Sequence, residues 1–299
     1  MSMHSKNFRL REEGKKSSKW PSISFSAILL FLLLLSCAAI GVAIAVLLKK
    51  PDLTGYPEWI QDFIADFRLN FISGDRYKLI FKGLWNTLVI TFLAVCIGIV
   101  IGVVIAAVRS SYDKNLESLK KRGGLGYYLL AFVNGICNLY LAVIRGTPVV
   151  VQLLIMYFVI FASSTNGMMI SVIAFGINSG AYVAEIFRSG IMSIDNGQFE
   201  AGRAMGFNYV ETMIYIIIPQ MFKVVLPTLC NEFIVLLKET SIAGYVGIQD
   251  LTKAGDLIRG RTFSAFMPLI AVALIYLVLV VVLTQLVKLL ERRLRQNER

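Results

Sequence analysis

A single histidine, His4, serves all 299 residues, and cysteine occurs only at Cys37, Cys96, Cys137 and Cys230. That inventory excludes a histidine-built metal centre and a Ser-His-Asp triad. The cysteines lie in apolar stretches without paired spacing, so they read as small packing hydrophobes and not as a disulfide framework. No GxxxxGK[ST] loop occurs in the chain, so it carries no phosphate cradle of that kind for hydrolysing ATP. If it does driven work, the motor is another chain. No cofactor and no metal is expected. Charge is scarce as well: 16% of residues are charged and 57% are hydrophobic, with a mean hydropathy of +0.69. A soluble domain of this size is excluded by that balance, and an all-α polytopic membrane protein is indicated.

Crossing a bilayer takes about 20 mostly apolar residues. Ala27–Leu48, Leu84–Val108 and Ala265–Leu290 meet that length, while Val149–Ser163, Met168–Phe187 and Met221–Leu237 are shorter or carry polar groups. Six spans follow. Arg145 and Gly146 mark a break with Thr147 and Pro148 opening a new helix, so Tyr127–Ile144 is expected to be interfacial or partly inserted. Basic clusters at Lys6 to Lys19, Arg109 to Arg122 and Lys288 to Arg299 fall on one side with this count, which makes both termini cytoplasmic. The net charge of +11 then faces anionic lipid, and nucleic acid is not an expected partner. The layout is a basic tail at 1–26, an N-terminal anchor at 27–48, an extracellular segment at 49–82, a helical membrane domain at 83–293 and a tail at 294–299. Within 49–82, Trp59, Phe63, Phe67 and Phe71 recur every four residues with Asp62, Asp66 and Asn70 opposite, an amphipathic helix suited to the outer interface. Gly98 and Gly102 form a GxxxG pair, which permits close helix approach.

Between two apolar runs stands GQFEAGRAMGFNYVETMIYIIIPQ, Gly197 to Gln220. Asp195 or Asn196 can cap a helix from about Gln198 to Met205, with Gly206 as its stop. Asn208 then opens a second helix, and Glu211 is placed to reach back to it. Ionisable and amide groups at membrane depth are candidates for the pathway: Gln152, Asn178, Glu185, Asn231, Glu232 and Lys238. Glu185 has an equal claim to a structural role beside Arg188, and Lys238 with Glu239 can equally mark the interface.

The spacing of Glu200, Ala201, Gly202, Gly206, Ile216, Ile218 and Pro219 resembles the signature loop of permease subunits of binding-protein-dependent ABC importers. Gly202 stands for an alanine of that pattern and Ile218 for a leucine. GLWNTLVIT, RGTPVVVQLLIMYF, SGAYVAEIFRSGI and PTLCNEFIVLLKETSIAGYVGIQDL are similar to the polar amino-acid subfamily, and together they cover about Gly83 to Arg293. The resemblance implies the transmembrane domain of a type I ABC importer, a five-span core with one extra N-terminal span, in the cell membrane of a bacterium. It implies two ATPase subunits per complex, an extracellular solute-binding protein, a second permease subunit (identical or similar) and an amino-acid substrate. Glu200, Ala201, Gly202, Gly206, Ile216 and Pro219, within the loop at about 195–219, would couple the chain to the ATPase. A rival reading is a secondary transporter or channel working without ATP, although no internal repeat of the kind such proteins often carry is evident.

Overall fold

The computed structural model describes residues 55–122 and 124–296, all helix and connection. The tail and anchor expected at 1–26 and 27–48 lie outside the described residues. A short helix α1 (Glu58–Phe67) precedes the long α2 (Tyr77–Arg122), followed by α3 (Leu125–Gly146), α4 (Val149–Ile155), α5 (Gly167–Met192), α6 (Asn196–Ala204), α7 (Tyr209–Thr212), α8 (Ile218–Glu239), α9 (Leu251–Thr262) and α10 (Phe266–Gln296). Among the described residues, five helical segments are long and apolar enough to cross a membrane: Tyr77–Lys114, Leu125–Gly146, Gly167–Met192, Tyr209–Val246 and Phe266–Leu294.

The centre is α5, whose window is the most deeply buried of the five. It packs along α2, and the GxxxG pair makes this possible. A Cβ on Gly98 would stand 3.0 Å from Ser179, and one on Gly102 would stand 2.5 Å from Val183 Cγ1 and 2.8 Å from the backbone nitrogen of Ala184. From α5, Gly176 meets Ile97 and Gly180 meets Ile101. These contacts ascend together in number, so α2 and α5 run parallel. One net return must therefore lie between them.

That return is built differently from the sequence expectation. Tyr127–Ile144, expected to be interfacial or partly inserted, lies within a 22-residue apolar helix, long enough to cross at about 33 Å and 1.5 Å per residue. The crossing assigned to Val149–Ser163 is instead a short apolar helix, Val149–Ile160, whose last five residues form a π turn. Thr147 and Pro148 do separate the two, as the break at Arg145 and Gly146 implied, and Pro148 sits at the N-cap of α4. A break alone sets where a helix ends, not which of its neighbours has the length to cross. Together the two segments close the return, with Tyr140 Oη donating to the Ile177 carbonyl and Tyr157 beside Gly167.

The α1 stripe also divides. Trp59 and Phe63 are exposed, but Phe71 is buried against Leu251, Ala254 and Ile258 of α9. Asn70, expected on the polar face, is fully buried and accepts from Thr262 Oγ1 at 2.7 Å. A π turn over Arg68–Ile72 inserts the extra residue that rotates Asn70 inward. At the other end of α9, Asp250 is buried and its carboxylate caps the helix by accepting from the backbone of Thr252 and Lys253. Burial pushes its carboxyl pKa up, and those amide donors oppose the shift.

Candidate functional site

Two polar constructions stand out, one on the connection between α5 and α8 and one in the helical core. The connection follows from its local chemistry. Asp195 accepts from Gly197 N at 2.6 Å and starts α6. Gly206, at φ +85°, ends it: the amide of Phe207 reaches back to the Gly202 carbonyl at 3.0 Å, and that of Gly206 to the Arg203 carbonyl at 3.0 Å. This is a left-handed stop that glycine alone adopts freely. Asn208 and Glu211 then exchange side chain for backbone, at 2.9 and 2.8 Å, and cap α7.

Packing makes this connection rigid. Phe199 is buried among Ile191, Ile217 and Met221, and Gly202 lies so close to α7 that a Cβ there would stand 2.7 Å from Thr212 Oγ1. Gln220 donates to Gln198 across the pair at 3.2 Å. From the far end of α2, Lys114 donates to Asn196 Oδ1 at 2.6 Å and lies 4.4 Å from the Phe199 ring centre. Phe199 and Gly202 are the buried residues of α6, and Gln198, Glu200, Ala201, Arg203 and Ala204 are among those left exposed. Of the expected loop residues, Gly202 faces inward, Ile216 packs into the same cluster as Phe199, and Pro219 falls in the first turn of α8, after a π turn at Met213–Ile217. Lys114 and Thr212 were missed; the contacts they make with α6 arise through tertiary approach, which no spacing in the chain announces.

In the core, Asn178 donates to Gln152 Oε1 at 2.9 Å, and Gln152 donates to the Ile144 carbonyl and to Thr147 Oγ1. One residue on, Ser179 donates to Glu232 Oε1 at 3.1 Å. Three of the six membrane candidates, Gln152, Asn178 and Glu232, are thereby brought to adjacent positions of α5. Glu185 is not: it accepts from Arg188 Nη2 at 2.7 Å and from Arg109 Nη1 at 3.2 Å, and Arg188 also pairs with Asp113 at 3.5 Å. Asn231 and Lys238 are exposed and stand apart from both groups. Ser179 escaped sequence reading because serine in an apolar helix carries no signal until its partner is known.

Residues 124–296 match the family described as the binding-protein-dependent transport system inner membrane component. The chain belongs to that family. It is 40% identical over 166 residues to the arginine transport system permease protein ArtQ of Bacillus subtilis (strain 168), covering 54% of this chain and 76% of that one. To the glutamine transport system permease protein GlnP of Escherichia coli (strain K12) it is 37% identical over 187 residues, 58% of this chain and 85% of the relative. Among solved structures, an amino acid ABC transporter crystallised with histidines aligns at a TM-score of 0.63 and 41% identity, covering 75% of this chain and 98% of that one. The inward-facing MetNI methionine ABC transporter aligns at 0.58 but only 20% identity, with 74% and 96% covered, and so speaks for the fold alone. The fold is therefore the membrane domain of a type I ABC importer, and the chain is a multi-pass permease component, not an enzyme; ATP is hydrolysed in a separate subunit. The rival reading, a secondary transporter or channel without an ATPase, falls with that membership.

Proposed function

We propose that the chain lines the pathway for ATP-driven uptake of an amino acid in the cell membrane of a bacterium. It works beside a second permease, identical or similar, beneath an extracellular solute-binding protein and above two ATPase copies. The observation that carries this reading is α6, a short helix held without slack by Asp195, Gly206, Thr212 and Lys114, with Glu200 and Arg203 left free. Such a helix transmits closure of an ATPase pair as a displacement of α5 and α8, which biases the permease between inward and outward states. A mobile loop would absorb that displacement.

For the cargo, Glu232, which accepts from Ser179, meets an ammonium, and the second amide hydrogen of Asn178, whose first goes to Gln152, supplies a donor for a carboxylate. Glu185, neutralised by two arginines, is a structural member of the chain. Both termini, α6 and the end of α2 are cytoplasmic, and α1 lies in the outer interface.

The test is reconstitution. The purified permease alone should show no ATPase activity; hydrolysis and uptake of radiolabelled arginine, glutamine or histidine should appear when the ATPase subunit and the solute-binding protein are added. Contaminant-free hydrolysis by this chain alone would end the reading.

A further inference from the structure

Arg109, Arg145 and Arg188 converge from α2, α3 and α5 on a cleft of about 630 Å³, whose other walls include Asn138, Tyr182 and Glu185. Its charges do not balance. Glu185 is consumed by Arg188 and Arg109, and Asp113 is bound to Arg188. Arg145 forms no ion pair among the described residues; its guanidinium lies 5.8 Å from the Tyr182 ring centre and is exposed to the cleft. A guanidinium stacked on an aromatic face keeps its fork of donors free, which suits bidentate recognition of a phosphate.

We propose that this cleft binds the phosphodiester headgroup of an acidic phospholipid. Arg145 supplies the bidentate contact, Arg109 and Arg188 the surrounding positive field, and Asn138 a neutral donor. On the orientation proposed above, Arg109 and Arg188 set one end of the cleft toward the inner ends of α2 and α5, the side where anionic headgroups are concentrated. Binding to a cleft that joins α2, α3 and α5 ties the parallel pair to the helix that returns between them, so the lipid acts as a structural member of the transport domain.

The experiment is native mass spectrometry of the full-length permease in neutral detergent, titrated with phosphatidylglycerol, with phosphatidylcholine and with inorganic phosphate. Wild type should retain phosphatidylglycerol in preference to phosphatidylcholine, and Arg145→Gln should weaken that retention about tenfold, the loss expected for one charge-assisted contact. Arg145→Lys, which keeps the charge but not the fork, should fall between them. Because Arg145 is exposed and unpaired, Arg145→Gln should keep the wild-type melting temperature. Equal retention of the two lipids, or retention unchanged in Arg145→Gln, overturns the proposal; displacement of the lipid by millimolar inorganic phosphate assigns the cleft to a free anion and overturns it too. The assay has no sidedness, so its failure is separate from a failure of the importer orientation, which labelling of intact cells reads.

Discussion

Gly206 and Gly202 hold one helix by opposite means. At Gly206 a Cβ would meet nothing within 4 Å, so the cost of a side chain there is purely that of the left-handed backbone at φ +85°. For a β-branched residue that cost is about 1 to 2 kcal/mol. At Gly202 the backbone is ordinary helix and the obstacle is Thr212. Glu200 is a third kind of residue: exposed at the middle of α6 and free to meet a basic group of a partner. Gly206→Val and Glu200→Lys should therefore leave expression and membrane insertion near normal, because neither disturbs a buried contact. Radiolabelled uptake should fall, and ATP hydrolysis should continue uncoupled from it. If both variants transport at wild-type rates with the ATPase still co-purifying, α6 is a connection and not a lever.

At the scale of elements, the pairing of α2 with α5 decides whether the domain assembles. A side chain larger than hydrogen at Gly102 runs into the backbone nitrogen of Ala184 as well as Val183, and backbone cannot move aside. Gly102→Leu should cost at least the 1 to 3 kcal/mol typical of overpacking and reduce the yield of monodisperse protein in size-exclusion chromatography. Gly135→Leu is the control, since a Cβ on that α3 glycine meets nothing within 4 Å; equal yields from the two variants would mean that the α2 and α5 contact is loose. The GxxxG spacing announced a close helix contact but not its partner. Caps were legible because they are local: Asp195, Gly206, Asn208 and Glu211 act within a few residues of one another. Two readings failed where a period was carried through a change of helix type or judged without length. The turn at Arg68–Ile72 broke the phase that had set Asn70 on the polar face, and the break at Thr147 and Pro148 concealed that the longer apolar helix lies before it. The pathway candidates fared unevenly for a related reason. Rank by polarity could not separate Glu232, which meets Ser179, from Glu185, which is closed off by arginines on two helices.

For the whole molecule, the direction of each helix constrains the rest. The α2 and α5 helices run parallel, whereas α5 and α8 run antiparallel, since Gly190 meets Val225 while Ser179 meets Glu232. If α2 enters from outside, α3 and α4 together return the chain outward, α5 brings it in again, and α6 projects on the cytoplasmic side with Lys114 beside it. The segment Tyr209–Val246 then leads out and Phe266–Leu294 leads back, so the described end of α10 shares a side with α6, and α1 lies opposite. Positive charge agrees, with Arg109, Lys114, Arg203, Arg292 and Arg293 on the proposed inner side. Single cysteines at Asp62, exposed on α1, and at Gln198, exposed on α6, read this directly once the native cysteines are replaced. In intact cells Asp62→Cys should react with a membrane-impermeant maleimide while Gln198→Cys should not, and Gln198→Cys should become reactive in inverted vesicles. Labelling of both positions from one side would place α1 and α6 together, which five crossings with a parallel α2 and α5 forbid; labelling of Gln198→Cys alone in intact cells would invert the protein and remove α6 from any reach of an ATPase that draws on cytoplasmic ATP.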